Sequence, residues 1–325
     1  MPEVSSRLIP ERPQPPSLEM PSFRLQADES LAEGLRRVTS DQLQYARRAL
    51  EQLPVDAGVH EARKSVKRVR AVLRLTRSYV GDGVYGPDNA KLRDVGRTLG
   101  PARDAAVLLQ TFDALIAQDA AEPRTGVLED FRHQLADRRQ TLENEINETV
   151  KREVLGSLDQ FKTRVADWAG DPNRPAIPDD FATIAKGFRR IYRQGRKRMT
   201  DAQANPSISA FHLWRNRVRY LRYQVDLISE SSAYLAAELA PDLAELAVGL
   251  GTEHDLAVLS EMAGGQPDLI QDEASRRGLL KLLERHRLDL QAAMGPIGRR
   301  IYLEAPRQFV DSLGAGWEKW KRRAG

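Results

Sequence analysis

The chain has 325 residues, with 50 Lys and Arg against 46 Asp and Glu and a formal net charge of +4, so affinity for anions must come from where charges sit rather than from their sum. It has no cysteine, which excludes disulfides, thiolate metal sites and a cysteine nucleophile and permits a reducing compartment. The first residues lack the basic and apolar stretches of a signal peptide, and no run approaches the ~18 apolar residues of a membrane span, so the expected location is the cytoplasm.

Aromatics make up only 6% of the chain, and prominent Arg, Glu, Gln, Ala and Leu favour helices over strands. The expected fold is all-α. Residues 1–26, rich in Pro, Ser and charge with Pro13, Pro15 and Pro16 clustered, read as a disordered or extended arm. A first helix is predicted from about Glu29 to Leu53, stopped by Pro54, and a second from about Val59 to Val80, ended by the Gly81-Asp82-Gly83 turn. A third begins near Asp88 and kinks at Gly100-Pro101 before continuing toward Ala120. One long charge-rich helix then spans about Arg124 to Trp168. Gly170-Asp171-Pro172-Asn173, extended by Pro175 and Pro178, is the clearest break. It divides the chain into a first half, 27–171, and a second, 172–325.

The pattern then starts again. Gly34-Leu35-Arg36-Arg37 returns as Gly187-Phe188-Arg189-Arg190, and His60-Glu61-Ala62-Arg63 as His212-Leu213-Trp214-Arg215. Leu99-Gly100-Pro101-Ala102-Arg103-Asp104 returns as Leu250-Gly251-Thr252-Glu253-His254-Asp255. The offsets are 153, 152 and 151 residues, one register at three separate landmarks. The chain therefore reads as a tandem duplication of a helical unit, about four helices to each half.

The second helix of each half carries the functional signal. Val59, Ala62, Val66, Val69, Leu73 and Val80 follow the 3-4 spacing of a core-facing stripe. One residue on, and so about 100° round the helix, run His60, Arg63, Lys67, Arg70 and Arg74. Lys64, Arg68 and Arg77 widen this basic face. In the second half Phe211, Trp214, Val218, Leu221, Val225 and Ile228 are apolar, with His212, Arg215, Arg219 and Arg222 beside them and Arg217 nearby. The preceding helix adds Lys186, Arg190, Arg193 and Lys197.

Charge runs on helices are usually solvated faces supported by acids three or four residues away. Here Glu61 is the only acid between His60 and Arg77, and none follows His212 until Asp226. Like charges at i and i+4 cost roughly 0.2–0.5 kcal/mol per pair, so rows of them, repeated in register, point to a bound anion that offsets the repulsion. His60 and His212 open the rows, where an imidazole can donate to phosphate, bond to backbone, or join a metal site; no metal-ligand spacing supports the last. Asp104 and Asp255 are expected to cap helix N-termini, with Arg103 and His254 as further site candidates. Tyr220 and Tyr223 can hydrogen-bond phosphate or pack in the core. Neither a phosphate-binding Gly-rich loop nor a nucleophile–base arrangement is present, so no catalysis is expected. The C-terminal Trp317-to-Arg323 segment suits a docked terminal helix with a basic last turn, or a weak membrane-surface contact.

The repeated His-x-x-Arg-x-x-x-[Lys/Arg]-x-x-Arg helix, at His60-Arg63-Lys67-Arg70 and His212-Arg215-Arg219-Arg222, resembles the CHAD family, the conserved histidine α-helical domain. The Leu-Gly-x-x-[Arg/His]-Asp elements ending at Asp104 and Asp255 resemble that family's second landmark. The similarity extends over about residues 28–320. It implies two four-helix bundles related by pseudo-twofold symmetry, a basic channel between them, binding of long-chain inorganic polyphosphate and association with polyphosphate granules. It places the two His-Arg-[Lys/Arg]-Arg sets at the channel. The basic stripes and their neighbours add Arg37, Lys64, Arg74, Arg103, Arg190, Arg193, Lys197, Tyr220, Tyr223 and His254. No cofactor is expected. Many relatives carry a CYTH triphosphatase domain, for which this chain has no room, so it resembles the stand-alone type. Two departures are His254 opposite Arg103 and Asn216 opposite Lys64. The rival expectations are a module that binds RNA or DNA, a phosphohydrolase or phosphotransferase acting on polyphosphate, and a helical scaffold for protein partners.

Overall fold

A computed structural model describes residues 18–118, 126–166 and 177–323. Among the described residues every regular element is helical. The break expected at Gly170 to Asn173 and the ends expected at Ala120 and Trp168 lie outside them.

The first half begins with α1 (Leu31–Gln52). Its start is fixed by a reciprocal cap, in which the Glu33 backbone N–H donates to Ser30 Oγ and the Ser30 N–H donates to the Glu33 carboxylate. Helix α2 (Val55–Val80) starts immediately after Pro54, one turn before the apolar stripe announces it. It ends at Gly81, whose φ of 76° is the left-handed conformation that glycine tolerates. The turn is that single residue, and α3 (Asp82–Thr98) begins at once. Helix α4 (Gly100–Gln118) follows. Gly100-Pro101 does not kink one helix but separates two, because Pro101 has no N–H to give the preceding turn and sits comfortably in the first turn of α4.

The long helix expected from Arg124 to Trp168 is also two, α5 (Gly126–Asn144) and α6 (Glu148–Ala166). Asn147 makes the break: its Oδ1 accepts the backbone N–H groups of Thr149 at 3.0 Å and Val150 at 3.1 Å, while Ile146 turns into the core. Replacing Asn147 by Ala should lower stability by about 1 kcal/mol, measured as a shift in the urea midpoint.

The second half contains α7 (Ala182–Ala204), α8 (Ile208–Leu227), a π-helical turn over Leu235–Leu239 that runs into α9 (Ala240–Gly265), then α10 (Glu273–Ile301) and α11 (Pro306–Lys321). Helix α9 passes straight through Leu250-Gly251, where the first half breaks. Thr252 stands in place of Pro101, keeps its N–H, and donates its hydroxyl to the Val248 carbonyl at 3.3 Å. The C-terminal segment is docked: Trp317 is buried against Phe181 and Trp320, and Lys321 pairs with Asp179 at 3.2 Å.

Packing repeats the sequence register. Helix α1 packs on α2 and on α6, as α7 packs on α8 and on α11; α4 packs on α5 as α9 packs on α10. The halves meet through α2 on α8, α2 on α7 and α4 on α9, around one continuous core. The described end of the N-terminal arm is part of that core. Phe23 and Leu25 are buried, and the Leu25 N–H donates to the Leu227 carbonyl at 2.9 Å, just where α8 stops. A Cβ on Gly187 would meet the backbone of Leu75 in α2, whereas one on the equivalent Gly34 would meet Leu25 and Glu29. The arm segment thus takes, beside α1, the place that the end of α2 takes beside α7.

Candidate functional site

Helices α2 and α8 cross, and at their contact the Gln224 side chain donates to the Ala71 carbonyl at 3.2 Å. Both helices must keep their apolar stripes in the core, so the basic stripes beside them turn toward the crossing. Lys67 and Arg219, equivalent in the repeat, come together there. Burial first, then Arg219, Arg63 and Arg215, push the Lys67 ammonium well below its ordinary value. Burial and then Arg215 lower Arg219, and burial with Arg219 nearby lowers Arg63. Burial, Arg74 and Arg219 do the same to Arg70. Guanidinium groups stay charged under such shifts, so the two rows form one concentrated patch of cations.

What holds these side chains is mostly neutral. Arg63 donates to the Gly96 carbonyl at 2.7 Å, Arg70 to Asn89 at 3.1 Å, Arg74 to the Tyr85 hydroxyl at 2.6 Å and Arg219 to Asn216 at 2.6 Å. The Arg74 guanidinium also lies 4.3 Å from the centre of the Tyr220 ring. Burial alone would raise the Tyr220 phenol, but Arg74, Arg70 and Arg219 bring it below its ordinary value. One acid reaches the centre: Asp104 accepts from Arg63 at 3.2 Å and is itself largely exposed. Arg222 stands 3.9 Å from Asp226, beyond hydrogen-bond range. The Nε atoms of Arg63, Arg74, Arg219 and Arg222 and Nδ1 of His254 are buried without a protein partner. Buried donors are normally satisfied; Arg48 and Arg164, away from the rows, share the condition, but the rows bring four such guanidiniums together.

Of the residues singled out in the sequence, Arg63, Lys67, Arg70, Arg74, Arg215, Arg219 and Tyr220 come together, with His212 and His254 at one end. The His212 and His254 ring centres are 4.9 Å apart. Arg215, Arg222 and Asp255 line a cavity of about 180 Å³ between α4, α8 and α9. Neither aspartate caps a helix, contrary to expectation: Asp255 lies in mid-α9 because that helix does not break, and Asp104 lies beyond the first turn of α4.

Other candidates are drawn away by acids, some distant in the sequence and some within one helical turn. Arg37 is bound by Glu29 at 2.6 and 2.8 Å, and Arg103 by Asp56 at 3.1 Å. Lys197 pairs with Asp201 at 3.2 Å, and Arg193 is exposed on α7. His60 and Lys64 each lie 3.6 Å from the buried carboxylate of Glu61, which also accepts from Tyr45. Tyr223 meets Phe23 of the arm edge-on, and Arg68 lies over the same ring. Arg190 donates to the Arg74 carbonyl at 2.7 Å and joins Arg77, Arg217 and Tyr85 around a cavity of about 170 Å³. Tyr85 had no signal in the sequence, since it sits beyond the Gly81 turn and outside both stripes.

Among the described residues no group of three or more His, Asp or Glu is placed to hold a metal ion, and no helix is long and apolar enough to cross a membrane.

A family model described as the CHAD domain matches residues 33–264. The CHAD domain from the plant Ricinus communis, seen in a crystal structure, superposes with a TM-score of 0.52 at 18% identity, covering 93% of this chain and 96% of that one. PptA from Streptomyces chartreusis superposes with a TM-score of 0.58 at 16% identity, covering 85% of this chain and 100% of that one. At these identities the likeness is one of fold. No curated protein matches the chain.

Proposed function

This chain belongs to the CHAD domain family, and from that premise we propose that it binds long-chain inorganic polyphosphate along a basic channel between its two halves, without acting on it chemically. The observation that carries this reading is the meeting of the α2 and α8 cation rows with buried N–H groups that no protein atom accepts. A polyphosphate chain is a flexible line of anionic oxygens with no bases to read. Guanidinium forks suit those oxygens, and rigid helices hold the forks in place before the ligand arrives. The neutral partners of Arg70, Arg74 and Arg219 orient these groups without consuming their charge. Asp104, which is hydrogen-bonded to the first row, is tied to Arg63 rather than free to act as a base. In the cell, such affinity would hold the protein on polyphosphate granules.

The test is calorimetric titration with polyphosphates of graded length at several salt concentrations. Affinity should fall with salt by a slope of about 0.7 per phosphate neutralised. Arg63→Ala with Arg215→Ala should weaken binding by about 10²–10⁴-fold, two charge-assisted contacts at roughly 1.5–3 kcal/mol each. Short single-stranded RNA at equal phosphate concentration should fail to displace the ligand, since the Tyr220 ring among the rows is buried beneath Arg74 and offers no open stacking platform. Displacement would make nucleic acid the ligand, and phosphate released with a divalent metal present would make the protein an enzyme. A double variant that binds normally would remove the site.

A further inference from the structure

We propose that the His212–His254 pair is a proton-linked phosphate position at the second-half end of the rows, neutral in the free protein and protonated when a polyanion is seated. The proposal rests on the polyanion reading and adds to it a coupled proton. Its starting point is an asymmetry of the repeat. In the first half Arg103 is bonded to Asp56 at 3.1 Å and so withdrawn from the rows. The register places His254 opposite Arg103 and Ile208 opposite Asp56. The second half has therefore exchanged an ion pair for a histidine and an apolar residue.

Relieved of that pair, His254 faces a groove lined by Ser207, Ile208, Ser209, Leu213, His212 and Glu261. Its ring lies 4.9 Å from that of His212, and its Nδ1 is buried with no partner. The charges around it come from several elements. From α8, Arg215, Arg219 and His212 all bear on it. On its own helix, Glu261 shares the groove and Asp255 lines the cavity shared with Arg215, while Glu253 turns away to Arg287 at 2.9 Å and Gln291 at 3.0 Å of α10. Helix α4 contributes only uncharged residues to that cavity, Val107, Gln110, Thr111 and Gln118 among them.

Burial and then Arg215 lower His254 to about 4, and the same two causes lower His212. Both rings are therefore largely neutral near neutral pH. A phosphate seated against Arg215 and Arg219 cancels the field that suppresses protonation. The imidazolium then becomes a donor to the same phosphate. Binding must consequently draw in protons, and affinity must rise as pH falls from neutral toward about 4. Below that value the free His254 ring is already charged and its coupling ends.

The experiment titrates a long-chain polyphosphate, whose interior groups stay singly ionised across this range, into the full chain at about pH 5.5 and about pH 8. Each pH uses two buffers of different ionisation enthalpy. Net uptake of about one to two protons at the lower pH is expected, with affinity rising by up to about tenfold per pH unit for each proton taken up. His254→Arg, charged at both values, should lose its share of the uptake and hold its affinity at the higher pH. His212→Asn with His254→Asn should bind with little pH dependence. Because substitution at a buried ring can disturb folding, histidine NMR of the native chain supplies a second measure: both ring titrations should move upward when polyphosphate is added.

Equal uptake in the doubly substituted chain, unmoved ring titrations or pH-independent affinity in the native chain would each overturn the proton linkage while leaving the polyanion site standing. No binding by the native chain at either pH would end the polyanion reading and this one with it.

Discussion

Replacing Lys67 and Arg219 together by methionine should give a protein that is more stable in dilute buffer and no longer holds polyphosphate. The two residues occupy the same place in the two halves and meet where α2 crosses α8, each depressed by burial and by cations around it. In an ordinary buried ion pair, Coulomb attraction offsets part of the desolvation penalty, and substitution by apolar residues of similar volume is still neutral or stabilising by about 1–4 kcal/mol. Here the near neighbours are predominantly of like sign, so the offset is smaller and the gain should lie in that range. Methionine keeps the unbranched stem that packs beneath the charge. The measurement is a urea melt with and without polyphosphate. The native chain should be strongly stabilised by ligand, as any protein is by a molecule that binds only its folded form. The variant should start higher and gain almost nothing. Lys186→Met with Arg193→Met, on the exposed face of α7, is the control and should change neither curve much. If the Lys67/Arg219 variant proved less stable and kept its ligand response, the central cations would be serving the fold, and the proposed function would lose its centre.

The contrast between these two pairs also marks what could be read from the sequence. The repeat register, the amphipathic stripes and the basic rows follow from local spacing, and the central cluster forms because burying each stripe commits the residue beside it to the crossing. Lys67 and Arg219 were therefore legible. Two neutralised candidates were not, because their closest acids come from elsewhere: Glu29 for Arg37 and Asp56 for Arg103. A scan for acids three or four residues away misses Asp56 and, at Arg37, finds Asp41 at 3.9 Å rather than the closer Glu29. Helix breaks divided the same way. Pro54 and Gly81 act through their own backbone and were anticipated. Asn147 breaks a helix only because its side chain captures the N–H groups of Thr149 and Val150, a choice that competes with continuing the helix and leaves no mark in hydrophobic periodicity. The arm shows a third kind of limit. Phe23 and Leu25 sit in a proline-rich context that reads as unstructured, yet they fill the space left where α8 ends at Leu227 while α2 continues to Val80.

Gly187→Ala is the second substitution with a large expected effect, and it tests how the halves are joined. A methyl group there would lie 2.2 Å from the Leu75 carbonyl oxygen and 2.8 Å from the Leu75 Cα. These are backbone atoms of a packed helix, which cannot rotate aside as a side chain can. Alanine would ordinarily strengthen a helix interior by about 1 kcal/mol over glycine, but forcing α7 off α2 should outweigh that and leave a net loss of about 2–3 kcal/mol or more. One turn on, Arg190 donates to the Arg74 carbonyl at 2.7 Å, so the same displacement should loosen the α2 row and weaken polyphosphate binding as well as stability. Gly34→Ala, its counterpart in the repeat, meets only the Leu25 and Glu29 side chains. Those ends can move, and the net change should be within about 1 kcal/mol of zero. Chemical denaturation of the two variants side by side separates backbone contact from general intolerance of a methyl group in these helices. Equal midpoints for Gly187→Ala and the native chain would mean that α2 and α7 do not approach this closely, and that the cation rows are not held in register by this joint.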